Sequence, residues 1–144
     1  MKKFIYMGIF VLMAVFLIVP AYAVNGTKNV KTEELIAPQF TYISLLSPGL
    51  SINSSGKATC VGLASAYNSS HTTKLTVELQ KSTDSGWSTI KTWSASATGV
   101  SIADIEEDYY VVRGTYRVCA TAKVYNTSGN LLETQSLYST TSTY

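Results

Sequence analysis

Charge is scarce in this chain. Only 14% of its 144 residues are Asp, Glu, Lys or Arg, against roughly a quarter in an ordinary soluble domain. Serine and threonine, 18 of each, take their place. There is one histidine and there are three aspartates, so catalysis built on His has little to draw on. No group of residues has metal-ligand spacing, which excludes an ordinary zinc site. The length excludes a tandem-domain enzyme and most α/β-barrels, and fits one domain of ordinary size.

What is present first is an address. Lys2 and Lys3 lead into an apolar run from Phe4 to Val19, interrupted only by Gly8 and ended by Pro20. Ala21-Tyr22-Ala23 follows. A basic start, an apolar stretch and an A-x-A site make a secretory signal peptide over residues 1–23. The small side chains of Ala21 and Ala23 suit the peptidase, which is expected to cut before Val24. The alternative is an uncleaved anchor, for which sixteen apolar residues are short of the roughly 20 a span needs. Cleavage removes Lys2 and Lys3 from the eleven basic residues and none of the nine acids. Residues 24–144 then carry no formal net charge, and no basic patch remains. Nucleic acid and, after signal removal, membrane are poor partners on that ground. No second apolar segment, lipid-accepting Cys or sorting tail follows, so the expected product is secreted and extracellular.

Residues 24–38 are polar, lack alternation and end at Pro38, which reads as a leader or linker with at most one helical turn at Thr32–Leu35. From residue 39 to 144 the pattern has period two, the signature of half-buried strands. The predicted strands are Phe40–Leu46, Leu50–Ile52, Ala58–Tyr67, Lys74–Lys81, Trp87–Ser94, Val100–Ile105, Thr115–Tyr125 and Leu131–Tyr138. Turn residues separate them, among them Ser47-Pro48-Gly49 and Thr83-Asp84-Ser85-Gly86. Helical periodicity is absent. Seven or eight short strands predict an all-β, antiparallel two-sheet sandwich of immunoglobulin- or fibronectin-III-like outline.

Two cysteines in a secreted protein usually pair. A bond from Cys60 to Cys119 closes a loop of about 60 residues and contributes roughly 4 kcal/mol in the chain-entropy model. Alternation cuts against it: with Tyr116 and Val118 inward, Cys119 points outward unless a bulge intervenes. If the cysteines face apart, they stay free or pair between chains.

One series of residues has a family look. It comprises Tyr42-Ile43, Gly49-Leu50-Ser51-Ile52, Ser55-Gly56-Lys57-Ala58-Thr59-Cys60, Leu79-Gln80-Lys81, Trp87 with Ile90 and Trp93, and Gly114-x-Tyr116-Arg117-Val118. This order is similar to a family of small secreted β-sandwich proteins of Gram-positive, largely clostridial bacteria, classed as a domain of unknown function. The resemblance spans about residues 38–140. It implies a bacterial source and transfers no catalytic or binding residue. A bacterial source also empties the N-x-S/T triplets at Asn25, Asn53, Asn68 and Asn126 of meaning as glycosylation sites; Ser/Thr-rich sequence produces them by chance.

Among candidate chemistry, Trp87 and Trp93 lie six apart and so on the same face of one strand, about 20 Å end to end, with Ile90 pointing the other way. Lys91 lies between them. Either the indoles face water and stack on sugar rings, or they pack at sheet edges with the Lys91 stem across an indole. Asp104, Glu106 and Asp108 alternate. They offer oxygens to calcium or, lacking a Gly for the sharp turn, form a solvated acidic loop. His71 sits in the polar turn Asn68-Ser69-Ser70-His71-Thr72, with no nucleophile elbow to support a triad, and reads as a loop residue. Tyr109, Tyr110, Tyr125, Tyr138 and Tyr144 are candidates for an exposed aromatic patch. The expectation is a non-enzymatic extracellular binding module, without cofactor or metal, for a cell-surface glycan or protein. A secreted antimicrobial or toxin-like effector is the alternative; a hydrolase is disfavoured.

Overall fold

The structure is a computed structural model and describes residues 39–144. The signal segment, Ala21, Ala23, Val24 and the leader to residue 38 lie outside the described residues. Eight strands follow in order: β1 Ile43–Ile52, β2 Lys57–Ala66, β3 Thr72–Thr83, β4 Gly86–Thr98, β5 Ala103–Tyr110, β6 Thr115–Tyr125, β7 Leu131–Tyr138 and β8 Ser142–Thr143. They form two antiparallel sheets, β1-β2-β5 and a larger one of four full strands, β4-β3-β6-β7, to which the two-residue β8 adds a fifth beside β6. The all-β sandwich expected from the period-two pattern is what forms. β4 pairs with β3 rather than joining the sheet of β1, β2 and β5, so the arrangement departs from an immunoglobulin constant domain.

The alternation sets what is buried. Leu75, Val77 and Leu79 of β3 and Val118, Ala120, Ala122 and Val124 of β6 face inward and are fully buried. Ala58, Cys60, Ala64 and Ala66 of β2 meet them from the other sheet. Gly62 lies on the same inward face, and a Cβ there would collide with the Val77 side chain, so the sheets approach closely at this point. Tyr116, near the start of β6, donates from its hydroxyl to the Val112 carbonyl at 2.7 Å. That bond ties the β5–β6 corner to the core, as a tyrosine corner does in related sandwiches.

The turns use one device three times. Asn53, Asn68 and Asn126 each turn the side-chain oxygen onto the backbone N–H two residues on, at 3.0, 2.8 and 3.0 Å. The same three backbone carbonyls accept from residues 56, 71 and 129. These are Asx turns, in which the amide side chain mimics a backbone unit. The asparagine of three of the N-x-S triplets therefore has a structural role as a turn former.

Several sequence expectations are corrected. Ser47-Pro48-Gly49 is not a turn: β1 runs unbroken through it, paired to β2 at Pro48↔Gly62 and Gly49↔Val61. β1 is an edge strand, where a missing N–H is tolerated. The strand predicted over Val100–Ile105 is β5, which begins at Ala103 and runs to Tyr110, so Asp104, Glu106 and Asp108 lie on a strand and not in a loop. Ala103 and Ile105 are buried while those acids are exposed, as period two requires. The Cys60–Cys119 disulfide does not form; both thiols are free. Cys60 points into the core from β2, whereas Cys119 occupies an outward position on β6, opposite Glu78. The four-stranded sheet itself lies between them. Packed sheets sit about 10 Å apart, beyond the roughly 7 Å Cα separation that a disulfide spans.

Candidate functional site

The outer face of the four-stranded sheet is not covered by β1, β2 or β5, and its side chains are set out in rows by the strand register. Ser96, Lys74, Lys123 and Thr134 make one row across β4, β3, β6 and β7. Ser94, Thr76, Thr121 and Ser136 make the next, a full row of hydroxyls. Thr92, Glu78, Cys119 and Tyr138 follow, then Thr89, Gln80 and Arg117. Trp87 stands beyond, opposite Ser82. Thr121 and Ser136 hydrogen-bond through their hydroxyls at 2.7 Å.

Arg117 is the centre of this face. Its guanidinium carbon lies 4.2 Å from the Trp87 ring centroid and 4.0 Å from that of Tyr138. A planar cation between two π faces is attracted to both. Its Nε donates to Gln80 Oε1 at 2.9 Å. Thr89 donates to Glu78 Oε1 at 3.3 Å. The result is an aromatic–guanidinium–aromatic stack reaching from edge strand β4 to edge strand β7. Trp87 is 36% and Tyr138 54% exposed, so the stack is held from below and free above.

Trp87 and Trp93 do not share this face. The β3–β4 register shifts between Leu79 and Gln80, which pair with Lys91 and Thr89. Ile90 is therefore an extra residue, and a bulge of one residue reverses the side on which later side chains emerge. Trp93 falls opposite Val77, inward, and packs against the core. Lys91 shares the inward register at the edge, and its ammonium lies 6.0 Å from the Trp93 ring. The expectation of two indoles in one row is corrected, and Lys91 belongs with the core tryptophan rather than with Trp87. Arg117, Gln80 and Tyr138 replace them. Tyr138 is among the tyrosines expected at the surface and is exposed; Arg117 is not among the residues singled out from the sequence, although its outward position on a strand of legible bounds could have nominated it.

The remaining candidates are dispersed. Asp108 is bound to the Lys57 ammonium at 2.7 Å and accepts from the Thr59 hydroxyl at 2.7 Å. These partners hold its carboxyl below the usual range, the Lys57 hydrogen bond foremost. No group of three or more His, Cys, Asp or Glu side chains able to hold a metal ion occurs among the described residues. His71 leans on Tyr42, ring centroids 5.8 Å apart. Its Nδ1 is buried without a hydrogen-bond partner. Burial pushes the Cys60 thiol up to about 12, far from a reactive thiolate. Tyr109 and Tyr144 pack against the core, which leaves Tyr110 and Tyr138 as the most open of the tyrosines singled out from the sequence besides half-buried Tyr125.

The sequence matches no family model and no curated protein. The face of the four-stranded sheet is thus read from its own chemistry.

Proposed function

We propose that this chain is a secreted, non-enzymatic binding module that holds an extracellular glycan on the outer face of its four-stranded sheet. The observation that carries the reading is the Trp87–Arg117–Tyr138 stack beside a complete row of hydroxyls. Sugar rings present apolar C–H faces and a rim of hydroxyls. Aromatic faces suit the first and Ser/Thr side chains the second. An open, shallow surface suits a polymer rather than an enclosed small molecule. The leader at residues 1–23 supports export, and the residues quoted above support kinship with small secreted β-sandwich proteins of Gram-positive bacteria.

Intrinsic fluorescence of the purified protein against a panel of polysaccharides tests the reading. The expected result is a saturable change for at least one polymer, abolished in Trp87→Ala and weakened in Tyr138→Ala. No change with any polymer, together with no loss of retention on an affinity gel in either variant, would remove the proposal.

A further inference from the structure

The same face carries an unbalanced charge pattern that narrows its ligand. Lys74 and Lys123 stand directly opposite each other on the two central strands, β3 and β6. Like charges at opposed positions repel and destabilise a sheet. Neither lysine has an acidic partner: among the described residues the ion pair found is Lys57–Asp108, on the other sheet. The Lys74 ammonium instead lies 5.0 Å from the Tyr125 ring centroid. Ser96 and Thr134 flank the two lysines in their row. An open groove of about 310 Å³ runs beside Lys74, lined by Thr76, Ser94 and Ser96 among others.

Arg117 adds a third cation on the same face, six residues from Lys123 along β6, or about 20 Å. Glu78 is the one acid in the rows between them, and it is engaged by Thr89. The exposed acids Asp104, Glu106 and Asp108 all project from β5 in the other sheet. The rows of this face thus hold Lys74, Lys123 and Arg117 against Glu78 alone, a local basic cluster that the net neutrality of the described residues, seven basic and seven acidic, conceals.

Resting on the reading of this face as a glycan surface, we infer that its ligand is an acidic polysaccharide. A carboxylate, sulfate or phosphate of the polymer bridges Lys74 and Lys123 and relieves their repulsion. The hydroxyl row lies under the chain. A sugar ring further along lies against the open side of the Trp87–Arg117–Tyr138 stack. Nucleic acid would use the cations but would leave the hydroxyl row without a rim of sugar hydroxyls to meet, so the polysaccharide is favoured.

The test measures binding of the full chain to polygalacturonate, chondroitin sulfate and teichoic acid, with methyl-esterified polygalacturonate and amylose as neutral partners. The expected result is binding to at least one acidic polymer at low salt. It falls about tenfold or more in K74Q/K123Q and at about 0.5 M NaCl, where screening is strong. The neutral polymers bind weakly, and Trp87→Ala reduces binding to all. The melting temperature of K74Q/K123Q is not lowered, since a repulsive pair is removed. Equal binding of acidic and esterified polygalacturonate, unchanged in K74Q/K123Q but lost in Trp87→Ala, overturns this inference and leaves the glycan face standing. Absence of binding to every polymer overturns both. Single-stranded DNA competing as well as the acidic polymer overturns the assignment to polysaccharide.

Discussion

Trp87 and Trp93 emerge on opposite sides of one strand although six residues separate them, because Ile90 is an extra residue in the ladder. One bulge thus divides the two indoles between surface and core. Their substitutions are expected to separate accordingly. Trp93→Ala leaves a void against the core and should cost about 2–3 kcal/mol, its half-burial keeping the loss below that of a fully enclosed Trp. Trp87→Ala removes a partner of Arg117 and should cost less than about 1 kcal/mol. Urea midpoints of the two variants measure the difference, and equal losses would contradict the bulge.

Glu133 ties the two sheets together at the end where β1 begins. Its carboxylate accepts backbone N–H groups of Tyr42 at 2.7 Å, Ile43 at 3.0 Å and Thr41 at 3.2 Å. Desolvation raises its pKa, but the Tyr42, Ile43 and Thr41 hydrogen bonds together outweigh it, and the net displacement is below the ordinary 4.5. A depressed folded pKa means stability that is fully present above the unfolded value and lost as pH falls through the folded one. Glu133→Gln should therefore cost about 1–2 kcal/mol at neutral pH, with the gap to the parent closing in acid. Urea titrations of both proteins at neutral and acid pH show whether it closes.

Reducing agent should leave stability unchanged. Both thiols are free, and Cys60 is wholly buried and Cys119 4% exposed. A thiol reagent should titrate two groups in denaturant and react slowly with the native protein, since both sulfurs are buried away from it. A single band shift on reduction, or fewer than two thiols in denaturant, would show a disulfide after all.

Two residues at the packing interface lend themselves to conservative probes. Tyr116→Phe deletes only the hydroxyl that holds the carbonyl of exposed Val112, at about 0.5–1.5 kcal/mol for one lost hydrogen bond. Gly62→Ala drives a methyl into Val77 and should cost about 1–3 kcal/mol by overpacking. Thermal melts of the two variants measure both, and a Gly62→Ala protein as stable as the parent would mean that the sheets lie further apart at that point.

Much of this architecture was readable from alternation. β6 and β7 begin and end where their sequence pattern does, and β3 extends the predicted Lys74–Lys81 by two residues at each end. Alternation works there because one side of each strand is sealed against the other sheet, so polarity reports burial directly. It failed where an edge relaxed that constraint. Pro48 and Gly49 look like turn residues, yet an edge strand tolerates both. Glu107 is at an inward register position opposite Cys60 and is still exposed, because β5 is also an edge. A bulge leaves no mark in composition, so the parity of Trp87 could not be read from its distance to Trp93. The pairing of Arg117 with two aromatics from different strands is long-range geometry that no local window contains.

On the glycan reading, the face bearing Trp87, Arg117 and Tyr138 is where this protein meets its ligand. The two indole N–H resonances of the ¹⁵N-labelled protein test it directly during titration with an acidic oligosaccharide. The Trp87 signal, with the backbone amides of Thr76, Thr121 and Lys123, should move and saturate while the Trp93 signal stays. Shifts confined to β1, β2 and β5, or two unmoved indole signals at saturating ligand, would contradict it.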